Sequence, residues 1–255
     1  MAMLLTRIAL NTTLSQIKVK ILTFNNLIMK KFTVLLILIL FASCSSEQLN
    51  NSALNVANYW QAEKFKVEKT TAENKQVLEL TLENLKNVRK DYPKNNVTSI
   101  SAVRFIENLP ESEYADYDNV KVIVKTNGES FEKEYKISEI LIAKKLFYTV
   151  DQFFQKVKNS LYEQLPPFFD TGNVPLLDIR KLAELIQQVD STEGKPLSTT
   201  IVGFDFRTVG EEKTPVLITH TNASYEKSFV DYTLVLRVSD KKVIHFGINE
   251  KGLGY

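Results

Sequence analysis

Histidine is the side chain best suited to proton transfer near neutral pH, and this 255-residue chain has two of them. His220 lies in the run PVLITHTN, in phase at period 2 with Val216 and Ile218. A strand there places it on the face expected to be buried. His245 lies in KKVIHFGIN, out of phase with Ile244, Phe246 and Ile248, and is expected to point the other way. The two imidazoles are therefore expected on opposite faces, unable to form one acid–base pair. His220 becomes the one candidate acid or base, with Tyr232 as a helper and Phe204 as an aromatic neighbour, expected on the same face as His220. A hydrogen-bonded strand histidine is the commoner outcome of such a pattern.

Other chemistry is thinly represented. There is no G-x-S-x-G elbow, no HExxH and no phosphate-binding glycine loop, and Gly252-Leu253-Gly254 has no helix after it. Two His and one Cys exclude an intrachain disulfide and a Cys/His-rich zinc site. Glu111, Glu113, Asp116 and Asp118 form an acidic stretch without the spacing of a calcium loop. No metal and no cofactor is expected. Asp205 and Arg207 fall opposite Phe204 and Phe206 on their strand and read as a solvated pair.

The charge distribution narrows the partners. Five basic residues (Arg7, Lys18, Lys20, Lys30 and Lys31) and no acidic ones precede Cys44; from there on 27 basic residues face 30 acidic ones. That part of the chain carries a net charge of −3 and has no basic tract, which argues against nucleic acid.

The elements that must position these residues follow from periodicity. Residues 44–55 are polar and read as a tether, and Val56–Phe65 as a short helix. Leu78, Leu80 and Leu82 alternate with polar residues as in a half-buried strand, and Ala102, Ile106 and Leu109 have helical spacing ahead of Pro110. Val120, Val122 and Val124, then Asn127-Gly128, then Phe131, Tyr135 and Ile137 predict a hairpin with a type I′ turn. This is a small βαββ unit over 56–137. Ser138 is the expected N-cap of a long helix with the stripe Phe147, Val150, Phe153, Phe154, Val157 and Leu161, read as core packing. A second helix carries Leu182, Leu185, Ile186 and Val189 and ends at Gly194-Lys195-Pro196. Four strands then form an antiparallel meander: Thr200–Thr208 with Val202, Phe204 and Phe206 on one face, Val216–Thr221, Tyr232–Val238, and Val243–Asn249. The fold class expected is α+β.

Residues 29–46 read MKKFTVLLILILFASCSS. Two lysines precede a predominantly apolar stretch of eleven residues, Phe32–Ala42, about 16 Å long as helix, half of a ~30 Å hydrocarbon core. This is the pattern of a secretory signal. The run Phe41-Ala42-Ser43-Cys44 resembles the lipobox of bacterial lipoproteins, with Phe where Leu is more usual. That resemblance implies a signal peptide over 29–43 and Cys44 as lipid attachment site, carrying acyl chains such as palmitate. Met29 is the expected start, with 1–28 an upstream extension. Ser45 after the cysteine implies the outer membrane rather than the inner.

Residues 148–250 resemble the nuclear transport factor 2-like (SnoaL-like) superfamily. VDQFFQKVKNSLYEQLPPFFD is similar to its opening helix, and TIVGFDFRTV, PVLITHTN, VDYTLVLRVSD and KKVIHFGIN stand in place of its strands. The resemblance implies a cone-like antiparallel sheet with packed helices over 138–255, enclosing a pocket or offering a homodimer surface. Because that superfamily holds enzymes and binding proteins alike, it does not deliver a function.

The reading carried forward is a lipid-anchored, non-enzymatic binding or interaction module of the cell envelope, with an unidentified protein or small ligand as partner. An envelope enzyme using His220 in the cone is the alternative, and an immunity-type lipoprotein the third. The first expectation concerns processing: the mature chain begins at Cys44 and incorporates labelled palmitate, and Cys44→Ala abolishes the label. A mature N-terminus elsewhere, with an unmodified Cys44, would falsify it.

Overall fold

Pro93 and Pro110 bracket a helix at the centre of this protein, as shown by the computed structural model, which describes residues 47–88, 92–172 and 176–249. Helix α1 spans 47–60, followed by strands β1 (Ala62–Ala72) and β2 (Lys75–Leu85). Helix α2 (Lys94–Glu107) and the single turn α3 (Glu111–Tyr114) lead to β3 (Asn119–Thr126) and β4 (Glu129–Lys136). The long helix α4 (Ile137–Lys158), two 3₁₀ turns and α5 (Leu176–Glu193) precede β5 (Pro196–Val209), β6 (Thr214–Tyr225), β7 (Phe229–Arg237) and β8 (Val243–Asn249). The chain from Asn50 onward forms one compact unit.

The first sheet has the order β1-β2-β3-β4, with β2 and β3 parallel and joined by the crossover through α2. Leu78, Leu80 and Leu82 stand opposite Val120, Val122 and Val124, all 0% exposed, and α2 lies against β3 and β4. The expected βαββ order is present as β2-α2-β3-β4, with Asn127 and Gly128 at φ 52° and 77° in the hairpin turn. It carries an additional edge strand, β1. Its sequence AEKFKVEKTTA leaves every side chain exposed or half-exposed, so it offers no apolar face to read.

Two expectations at helix ends are corrected. The segment expected as a tether over 44–55 is helical from residue 47, and Ser52 and Ala53 are buried. Ala53, Val56, Ala57 and Trp60 make a stripe at helical spacing that the intervening asparagines obscure. Ser138 is not an N-cap: α4 starts at Ile137 straight out of β4, with Lys136 as its cap residue and no side-chain capping bond. Of the expected stripe, Val150, Phe153, Phe154 and Val157 are buried on α4 and Phe147 is half-buried, but Leu161 lies beyond the helix, which ends at Lys158. On α5, Ile186 is buried but Leu185 is 46% exposed.

The second sheet is the antiparallel meander β5-β6-β7-β8. One face packs on α4 and α5 through Ala223, Tyr225, Val230, Tyr232, Leu234, Leu236 and Val243. The row of β6 on that face is therefore Leu217, Thr219, Thr221, Ala223 and Tyr225, not Val216, Ile218 and His220. Thr219 and Thr221 are 0% and 1% exposed, so half of this buried row is polar or small and gives no apolar alternation. Two register shifts complete the correction. Ile201 and Gly203 are opposite Thr221 and His220, which leaves Val202 as a bulge and puts Ile201, not Val202, in phase with Phe204 and Phe206. In β8 a shift puts Val243, 0% exposed, at the core position expected of Ile244.

The two halves meet along the outer edge of β5. The amide N–H of Phe204 donates to Ser99 Oγ at 3.1 Å, and Tyr92 OH donates to the carbonyl of Val202 at 2.6 Å. Asn96 lies so close to Gly203 that a Cβ there would overlap its side chain. Lys133 of β4 pairs with Asp205 at 3.0 Å. Among the described residues no helix is long and apolar enough to cross a membrane. Cys44 and the 29–43 segment lie outside the described residues.

This junction sets a stability expectation. Gly203→Ala costs about 2–3 kcal/mol by overpacking. Ser99→Ala strands a buried amide and costs about 1–3 kcal/mol. Ser112→Ala, on the exposed face of α3, stays within about 0.5 kcal/mol. Urea denaturation midpoints of the three variants check the order.

Candidate functional site

Cross-strand partners share a face, so the register assigns every candidate. His220 pairs with Gly203 and Thr233, Asp205 with Ile218, Arg207 with Val216, and Asn222 with Asp231. Together they form the face of the second sheet turned away from α4 and α5. His245 stands opposite Val235, and Gly247 opposite Thr233, so His245 belongs to this face too. The expectation that the histidines occupy opposite faces is thus corrected: the row of β6 taken as core is the outer one. They remain apart, because β7 intervenes and two strand spacings come to about 9.5 Å. His220 is half-buried and His245 exposed.

Phe204 is corrected in the same way. It pairs with Thr219, on the opposite face from His220, and is 1% exposed between Tyr135 and Phe147, with ring centroids at 5.8 and 5.7 Å. Tyr232 borders the cleft described next through its strand, but its ring packs inward on Phe154 and Phe246 and its hydroxyl meets that of Tyr225 at 2.6 Å. Neither is a partner for His220.

A cleft of ≈ 320 Å³ opens on the outer face. Its floor is His220, Asn222 and Asp231; its walls are Tyr92, Pro93 and Asn96 from the start of α2, the bulged Val202 of β5, and Phe229 of β7. Phe229 is 55% exposed, unusually open for so large an apolar side chain. Asn222 Nδ2 donates to Asp231 Oδ1 at 2.7 Å, and His220 Nδ1 lies 3.4 Å from Thr233 Oγ1. Burial pushes the His220 pKa below its ordinary value, against the opposing pull of Asp205 and Asp231. Burial also works against ionisation of Asp205, but Lys133 and Arg207 hold its carboxyl below the usual range. The floor therefore offers a neutral imidazole, an amide and a carboxylate. These groups donate and accept hydrogen bonds, and the hydroxyl in contact with His220 is that of Thr233.

A second polar group has no counterpart in the sequence pattern. Tyr162 OH donates to Asp190 Oδ2 beneath α5, close to Tyr225 and Tyr232. Burial raises the Asp190 carboxyl and pushes the Tyr162 phenol up to about 12. These residues lie on four separate elements, and no spacing in the sequence joins them. The acidic stretch is dispersed: Glu111 and Glu113 lie in α3, and Asp118 accepts from the amide of Gln76. No group of three or more His, Cys, Asp or Glu able to hold a metal occurs among the described residues.

Comparison with protein-family models, with curated proteins and with solved structures gives no match.

The lowered pKa of His220 has a signed consequence. Below about pH 6.5 the unfolded chain binds a proton at this residue before the folded chain does. Stability is therefore complete above that pH and declines as the pH falls toward the folded pKa. Denaturation followed between pH 7 and 5 should show a steeper loss for the wild type than for His220→Gln; equal slopes would contradict the assignment.

Proposed function

We propose that this chain is a lipid-anchored binding module of the bacterial cell envelope, held through Cys44 at the outer membrane, that recognises its ligand in the cleft beside His220. The observation that carries the binding reading is the cleft floor, where Asn222 is bonded to Asp231 and His220 to Thr233. Side chains fixed by one another present donors and acceptors at low entropic cost, which suits recognition. The interior on the opposite face is filled by Phe153, Phe154, Phe169, Tyr232 and Phe246, so the ligand is received outside the sheet and not within it. The order of α4, α5 and the meander supports the resemblance of residues 148–250 to the nuclear transport factor 2-like superfamily. The anchor rests on the order of lysines, short apolar run and lone cysteine over 29–46.

A neutral imidazole in a cleft favours one second reading, an envelope enzyme with His220 as general base. A photocrosslinking residue at Phe229 of the anchored chain tests both. It should give a discrete adduct in intact cells, and the same probe at Tyr148, 67% exposed on α4, should not. Persistence of the adduct in His220→Ala fits recognition. Equal labelling from both positions, or none from Phe229, sinks the binding reading.

A further inference from the structure

The chemistry of the cleft selects among ligands, and the selection rests on the cleft being the recognition site. Among the described residues ten line it, and none of these is a lysine or arginine. Among those ten the one formal charge is Asp231, which receives an amide donor at Oδ1 and pairs with no cation among the described residues. Asp205 on the same face is already matched by Lys133 and Arg207. Asp231 therefore differs from its neighbour in having an uncompensated charge beside a cavity. The amino end of α2 opposes it, but a helix terminus carries only about half a positive charge. Among the described residues the charge of the cleft is negative. Around the carboxylate stand two aromatic rings, Tyr92 and the exposed Phe229, with Pro93 and Val202 completing an apolar wall.

We infer that the cleft receives a guanidinium group on a short aliphatic chain. The planar cation meets the free oxygen of Asp231 and lies against the aromatic wall, where a ring face attracts positive charge. Its five N–H donors suit a floor of carboxylate, imidazole and amide oxygens better than the three of an ammonium. The cavity of ≈ 320 Å³ is at the small end of ligand sites and accommodates such a head group rather than an extended molecule. Neutral His220 adds no repulsion. An anionic ligand would face Asp231 without a compensating lysine or arginine.

Isothermal titration of the full chain in detergent tests the assignment with agmatine, with N-butylurea as a neutral analogue of similar shape, and with butyrate as an anion. Agmatine should bind at least about tenfold more tightly than either control, and Asp231→Asn should remove at least about tenfold of that affinity. Phe229→Ala should weaken it by a smaller factor, while circular dichroism shows both variants folded. An acetylated, amidated Gly-Arg-Gly peptide separates the two sources of the group: tighter binding than agmatine marks an arginine of a protein, weaker binding a free small guanidine. Agmatine binding that is indifferent to Asp231→Asn overturns the inference. If N-butylurea or butyrate binds and shifts the His220 imidazole resonances while agmatine does not, the cleft remains the recognition site and the cation assignment falls. If none of the probes does so, both fall together.

Discussion

The amide of Phe204 must find a partner away from water, and much of the architecture can be read from that need. As the outer strand of the second sheet, β5 turns part of its backbone away from β6. Where that edge is buried, unpaired groups would cost about 1–3 kcal/mol each. Helix α2 satisfies them with side chains, Ser99 for the amide of Phe204 and, just before the helix, Tyr92 for the carbonyl of Val202. This explains a helix that is buried almost all round yet carries Asn96, Thr98, Ser99 and Ser101 in its core-facing positions. The other hydroxyls also reach beyond the helix. Thr98 meets Tyr135 OH at 2.7 Å, and Ser101 accepts from the indole of Trp60 at 2.8 Å. A purely apolar helix would fill the same space and leave the edge of β5 unpaired.

The cleft is a by-product of the same contact. Bulging Val202 out of register brings Gly203 under Asn96, and the absence of a side chain there lets α2 sit directly on the strand. The start of α2 then overhangs the outer face of the sheet, so Tyr92, Pro93 and Asn96 stand above His220 and Asp231. Polar groups from β6 and β7 are therefore covered by residues that lie more than a hundred positions earlier in the chain. The contact that secures β5 and the cleft share this one seam.

What is legible in the sequence is what one residue row can display alone. Leu78, Leu80 and Leu82 announce a strand because their whole row is apolar, and Asn127-Gly128 announces a turn because few other pairs accept two positive φ angles. The face of β6 misleads because the row packed on α4 and α5 contains Thr219, Thr221 and Ala223, while the other row contains Val216, itself 0% exposed at the strand's start, and the half-buried Ile218. Burial there is decided by α4 and α5, which no local pattern reports. Strand β1 is invisible because an edge strand with lysines and glutamates on both faces has no period. The bulges at Val202 and Ile244 shift phase by one residue, so Ile201 and Val243 take the core positions that the alternation assigns to Val202 and Ile244. His220 stands out from the sequence by its residue type alone, but its companions in the cleft, Asp231, Asn222 and Phe229, become neighbours only through pairing.

The bond between Ser99 and Phe204 spans 105 positions. A chain that emerges N-terminus first, from a ribosome or from a membrane channel, presents α2 before β5 is there to meet it. During that interval the first sheet can close on one side of the helix, while the side that will seat Gly203 and Phe204 has only solvent. Without β5, α2 would be a half-covered helix on a four-stranded sheet, with an apolar and hydroxyl-bearing flank open to other chains. The late strand is the molecule's own stopper, and a chain that ends between Glu193 and Phe204 should leave that flank unsealed.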